Sequence, residues 1–243
     1  MGELLVHRGL GRDLLALLPP SYGGGGRFPV LYAQDGQNLF DAATSPSGEW
    51  RVDESMLDLA SEGIEAIVVG ITSRSDSRAS EYCPWPHEPY VPEGRADEYL
   101  DFVLDSVRPL VDRSFATNPG ANGVLGSSLG ALVSLYAFFS RPGTFGFAGA
   151  LSAAIWGGDA AFEFFEQAPL VDGRIWLDAG DRETPQDPDM NAWYVETLEL
   201  MTALFQRKGY GPDRLHATLV SEGVHHESAW AERFPDAMRF WLG

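Results

Sequence analysis

The chain has 243 residues, 44% of them hydrophobic. That is enough apolar mass to bury a sizeable core, and one domain spanning residues 1–243 is expected. Thirty-five Asp and Glu against 17 Lys and Arg give a formal net charge of −18. This argues against nucleic acid and anionic membrane surfaces as partners, because both reward clustered basic residues.

The N-terminal MGELLVHRGL has neither the basic start nor the apolar core of about 7–15 residues that marks a secretion signal. No apolar run approaches the roughly 20 residues that span a bilayer, so the chain is expected to be cytoplasmic. Short apolar runs at 14–18 and 29–33 predict strands. Between them YGGGGRF (22–28) lacks the G-K-[S/T] of a phosphate loop and reads as a flexible hairpin connection. A helical pattern over 53–61 and a strand at 66–71 follow, then the Pro-rich YCPWPHEPYVPEG (82–94), an irregular loop of a length often tied to function. Cys83 in that loop is the sole cysteine, which excludes an intrachain disulfide and a cysteine-based zinc site; its expected role is packing.

Further along, the patterns predict helix over 95–111, strand 122–125, helix 128–140, strands 147–151 and 174–177, helix 189–208, strand 215–220 and helix 227–242. Strand and helix alternate over most of the length. The predicted fold class is therefore α/β, a mainly parallel sheet with helices on both faces. Working residues of such sheets gather in the loops at the carboxyl ends of the strands.

One of those loops is GVLGSSLGAL (123–132), where Gly126, Ser128 and Gly130 match the G-x-S-x-G turn that lifts a serine hydroxyl out of the fold. A tight turn of small residues would give the same letters. The context favours the nucleophile turn without removing the other reading: an apolar strand precedes Ser128, and a helix apolar almost all round follows it. The start of that helix offers a positive dipole end and the Leu129 N–H to a developing oxyanion.

A serine nucleophile needs a base, and the base needs an orienting acid. His225 and His226 follow the 215–220 strand, where the base is expected, whereas His7, His87 and His216 read as loop or strand residues. The loop after 174–177 holds Asp178, Asp181 and Glu183 as rival acids, of which Asp178 at the strand end also suits a turn cap. The order serine, acid, histidine is that of α/β-hydrolases.

LLPPSY (17–22), FPVLYAQDGQNLFD (28–41), GEWRVDE (48–54), RASEYCPW (78–85), GSSLGALVSLY (126–136) and GVHHESAW (223–230), in this order, resemble the Putative esterase family of α/β-hydrolases. That group includes enterochelin esterases, feruloyl and acetylxylan esterases and S-formylglutathione hydrolases. The resemblance implies an α/β-hydrolase fold with Ser128 as nucleophile. It implies His225 as base, because the G-x-H-x-x-x-x-W spacing to Trp230 selects it over His226. It points to Glu183 as the acid through DAGDRE, and to the N–H groups of Gln37, in DGQN, and Leu129 as the oxyanion hole. Ala131 departs from the family pattern, where many relatives have a second glycine.

The expected activity is a serine carboxylic-ester hydrolase without cofactor or metal, its partner a small-molecule aromatic, sugar or siderophore ester. Trp85 and the other aromatic residues of 82–90, with Trp156, are candidates to line the pocket. Arg74, Arg78 and Arg182 lie in loops near the expected site, although an Arg78–Glu81 ion pair shaping the loop is the favoured reading of Arg78. A catalytically silent relative that binds a ligand, and an acyltransferase using the same three residues, are the alternatives.

Overall fold

The strands of the computed structural model, which describes residues 3–45 and 47–243, are β1 (Leu4–His7), β2 (Leu14–Leu17), β3 (Phe28–Gln34), β4 (Ile67–Ile71), β5 (Thr117–Ser127), β6 (Phe147–Leu151), β7 (Arg174–Gly180) and β8 (Leu215–Val220). They form an eight-stranded sheet in the order β1-β2-β4-β3-β5-β6-β7-β8. Strand β2 is antiparallel to both its neighbours, and every pair from β4 to β8 is parallel. The edge strand β1 has no counterpart among the expected strands. Its four residues are all exposed, so they show no half-buried alternation, and only pairing with β2 from Leu4↔Leu17 to His7↔Leu14 defines it. The 22–28 stretch is not the expected hairpin: β4 lies between β2 and β3, and the stretch carries the chain past it.

The helices are α1 (Val52–Ser61), α2 (Arg78–Tyr82), α3 (Ala96–Phe102), α4 (Arg108–Ser114), α5 (Leu129–Ser140), α6 (Asp159–Gln167), α7 (Pro188–Lys208) and α8 (Glu227–Leu242). The helix expected over 95–111 is a longer composite, α3 and α4 joined by the π-helical segment Val103–Val107. Pro109, which has no N–H to give the preceding turn, lies just beyond that segment. Helices α2 and α6, of five and nine residues, were not expected. Among the described residues no helix is long and apolar enough to cross a membrane.

Alternation along the strands sorts the core into two layers. Val30, Tyr32, Val69, Val124 and Ile175 face the side covered by α3, α5 and α7. Leu31, Ala33, Val68, Leu125 and Trp176 face α1 and α8. Helix α5 is buried from Leu129 to Phe139, as its almost wholly apolar sequence requires.

Candidate active site

Strand β5 ends at Ser127, and the next residue turns the chain into α5. Ser128 has φ 57° and ψ −124°, a backbone region unfavourable for any residue with a side chain. Surrounding hydrogen bonds hold it there. Its N–H donates to Leu151 O at 3.0 Å, and its carbonyl accepts from Ala131, Leu132 and Ala154 N–H at 3.1–3.2 Å. The flanking glycines are required by close approach: a Cβ on Gly126 would lie 2.6 Å from the Gly130 carbonyl carbon, and one on Gly130 would lie 3.1 Å from Gln34 Cβ.

The ends of β7 and β8 are drawn together at Gly180 and Gly223, whose backbones leave no room for a Cβ between them. The two loops beyond are tied by Arg182 N–H to Gly223 O at 3.0 Å and His225 N–H to Glu183 O at 3.1 Å. This places His225 Nδ1 2.8 Å from Glu183 Oε2. Burial pushes the Glu183 carboxyl up, but hydrogen bonds from His225, Ser152 and the Gly180 N–H outweigh it and hold the group below its ordinary value. An ionised carboxylate only accepts, so Nδ1 carries the proton of this contact. His226 goes elsewhere. It caps α8, where its Nδ1 accepts from Ser228 N–H at 3.2 Å.

The other two acids are engaged. Asp181 turns back to accept the Glu222 N–H at 2.7 Å. Asp178 is not the turn cap that its place at a strand end suggested: it is buried within β7, 2.6 Å from Arg233 Nη1 and 2.7 Å from Trp176 Nε1. Burial pushes its carboxyl above the ordinary value, against the pull of Arg233 and Trp176. Its side-chain neighbours are all donors, which favours the ionised form.

After β3, Asp35 takes a left-handed conformation, φ 52°, and opens the tight helical turn Gly36–Asn38. The Gln37 side chain is fixed to the loop after β4, donating to Ser73 Oγ at 3.1 Å and accepting from Ser73 N–H at 3.0 Å. The N–H groups of Gln37 and Leu129 both belong to helix starts, whose first amides have no intrahelical acceptor. The expected Arg78–Glu81 pair does not form. Arg12 reaches from the start of β2 to take both Glu81 oxygens at 2.9 Å, and the fork of Arg78 meets Asp35 at 2.7 and 2.8 Å. A bidentate match outcompetes a neighbour on the same short helix.

Among the pocket candidates, Trp156 stacks on His87, with centroids 4.6 Å apart, and on Tyr90 at 5.7 Å. Tyr90 is 68% exposed. Trp85 is half-buried, its ring packed on Tyr136, Phe164 and Phe165 at 5.5–6.2 Å and against Gly157, beside Trp156. Arg74 and Arg182 form exposed pairs with Asp76 and Glu222. Tyr194 of α7 went unnoticed in the sequence, where only its spacing to Thr197 and Met201 marks it as part of a buried helix face. Its ring lies 5.0 Å from that of His225. Burial, with the Glu183 charge adding to it, holds the phenol well above its ordinary value, so it stays protonated.

A mainly parallel sheet in this strand order, entered by a reversed β2 and bearing a strained serine turn at the end of a central strand, is an α/β-hydrolase. The chain belongs to the Putative esterase family, whose model matches residues 11–241, and that membership supports ester hydrolysis as its reaction class. It is 26% identical to the uncharacterized protein YbbA of Bacillus subtilis over 252 residues, covering 100% of this chain and 97% of that one. It is 34% identical over 139 residues to a siderophore triacetylfusarinine C esterase of Aspergillus fumigatus, covering 55% of this chain and 46% of that one. The siderophore hydrolase EstA of Aspergillus nidulans shares the fold, with a TM-score of 0.73 at 19% identity, covering 99% of this chain and 93% of that one.

Proposed function

We propose that the chain is a serine carboxylic-ester hydrolase working through an acyl-enzyme. The observations that carry this reading are the 2.8 Å contact between His225 Nδ1 and Glu183 Oε2 and the strained backbone of Ser128 at the end of β5. His225 Nε2 takes the Ser128 proton as Oγ attacks the ester carbonyl, and the N–H groups of Gln37 and Leu129 hold the resulting oxyanion. Collapse expels the alkoxide, which receives the proton from His225 and leaves as the alcohol. Water then attacks the acyl-enzyme with His225 again as base, releasing the carboxylic acid and restoring Ser128.

For the substrate, the kinship with the Aspergillus fumigatus esterase favours a siderophore-type ester. The exposed stack of His87, Tyr90 and Trp156 offers flat apolar surface to an aromatic or similarly planar group. Ser128→Ala should lower p-nitrophenyl acetate turnover by orders of magnitude while leaving circular dichroism unchanged, and a fluorophosphonate should add to Ser128 alone by mass spectrometry. A folded Ser128→Ala protein that keeps most of its turnover would overturn the mechanism. Hydrolysis rates across aryl, acetyl-sugar and siderophore esters rank the substrate classes.

A further inference from the structure

We propose that Ser152 is a positioning residue that holds the Glu183 carboxylate in the orientation in which it meets His225, and that Asp178 assists by keeping Arg233 out of direct hydrogen-bonding contact with that carboxylate. The inference rests on the reading of Ser128, His225 and Glu183 given above.

Ser152 follows β6 directly, is fully buried, and has φ 47°. Its Oγ accepts from Trp230 Nε1 at 2.9 Å and from Arg233 Nη1 at 3.2 Å. A hydroxyl has two lone pairs and one proton. With both lone pairs engaged, the proton is directed at the remaining neighbour, Glu183 Oε1, 2.5 Å away. The Gly180 N–H donates to the same oxygen. Two donors on one oxygen and His225 Nδ1 on the other fix the plane of the carboxylate, and turning the group out of that plane would weaken all three contacts together.

Arg233 threatens this arrangement, because its Nη1 is 3.9 Å from Glu183 Oε1. A direct guanidinium–Glu183 pair would draw the negative charge away from His225, where it must stabilise the imidazolium. Asp178 prevents this by taking Nη1 at 2.6 Å. Asp178 is itself aligned by the Ser152 N–H, which donates to its Oδ1 at 3.2 Å and to its carbonyl at 2.9 Å. One residue therefore spaces two buried carboxylates around one buried arginine.

The decisive variant is Ser152→Gly, which deletes the hydroxyl while suiting the left-handed backbone. The backbone gain offsets part of the cost of leaving buried partners unsatisfied, so the variant should stay folded with a melting temperature a few degrees below that of the wild type. Its kcat on p-nitrophenyl acetate should fall at least about tenfold with KM within about twofold, and the downfield His225 Nδ1 proton resonance should move upfield or broaden. Asp178→Asn should also lower kcat, and adding Arg233→Met should restore part of the loss, since the unbalanced charge goes with it. A folded Ser152→Gly enzyme with wild-type kcat and resonance, beside an inactive Glu183→Gln enzyme, would overturn this inference alone. A fully active Glu183→Gln enzyme would overturn the proposed triad and this inference with it. A double variant no faster than Asp178→Asn would overturn the role given to Asp178.

Discussion

His225 and His226 are adjacent in sequence but leave the loop with different tasks, one facing Glu183 and the other capping α8. His225→Ala should therefore abolish turnover. His226→Ala should retain it and cost about 1 kcal/mol or less in stability through the lost cap. Kinetics and urea midpoints on the two variants check both, and the reverse ranking in turnover would contradict the assignment. Glu183 adds a pH signature. Its carboxyl is held below its ordinary value in the folded state, so its ionisation stabilises the fold above the ordinary carboxylate range and that stability is lost as pH falls through the lowered value. In thermal melts the margin of wild type over Glu183→Gln should be widest near neutrality and close below about pH 4. At neutral pH the same variant should lose turnover by up to about 10⁴-fold.

At the scale of elements, the turn from β5 to α5 is tightly constrained. A strand end, a residue with φ 57° and the first turn of a buried helix are forced into contact at Gly126 and Gly130. The atom blocking a side chain at Gly126 is backbone, which cannot swing aside as a flexible side chain can. Gly126→Ala should destabilise the fold by about 2–3 kcal/mol or more and lower activity beyond what its stability loss explains, because α5 would shift relative to β3. Denaturant midpoints and turnover at a temperature where the variant is folded measure the two effects. A variant with wild-type midpoint would show that α5 can move at little cost.

Across the whole molecule the net charge of −18 is the dominant long-range term. Like charges repel in the compact state, and salt screens that repulsion over about 10 Å at 0.1 M. The melting temperature should rise by a few degrees, on the order of 1 kcal/mol of stability, between 10 and 150 mM sodium chloride. A fall instead would mean that favourable pairs such as Arg12–Glu81 and Arg78–Asp35 outweigh the excess negative charge.

Alternation of strand and helix, the burial of α5 and the small-residue turn at Ser128 were legible in the sequence, because each depends on residues within a few positions of one another. The α/β architecture followed from them. The short exposed β1 was not legible, nor was the placement of β4 between β2 and β3, because both depend on which strands pair rather than on what each strand contains. The same holds for the site. Sequence placed three carboxylates and two histidines near the right strand ends. The approach of Gly180 to Gly223 then set Glu183 against His225, while Arg233, arriving from α8, claimed Asp178. Arg78 found Asp35 in place of Glu81 for the same reason. Partners far apart in the chain are chosen by packing and charge satisfaction in the buried fold, and no local pattern carries that information.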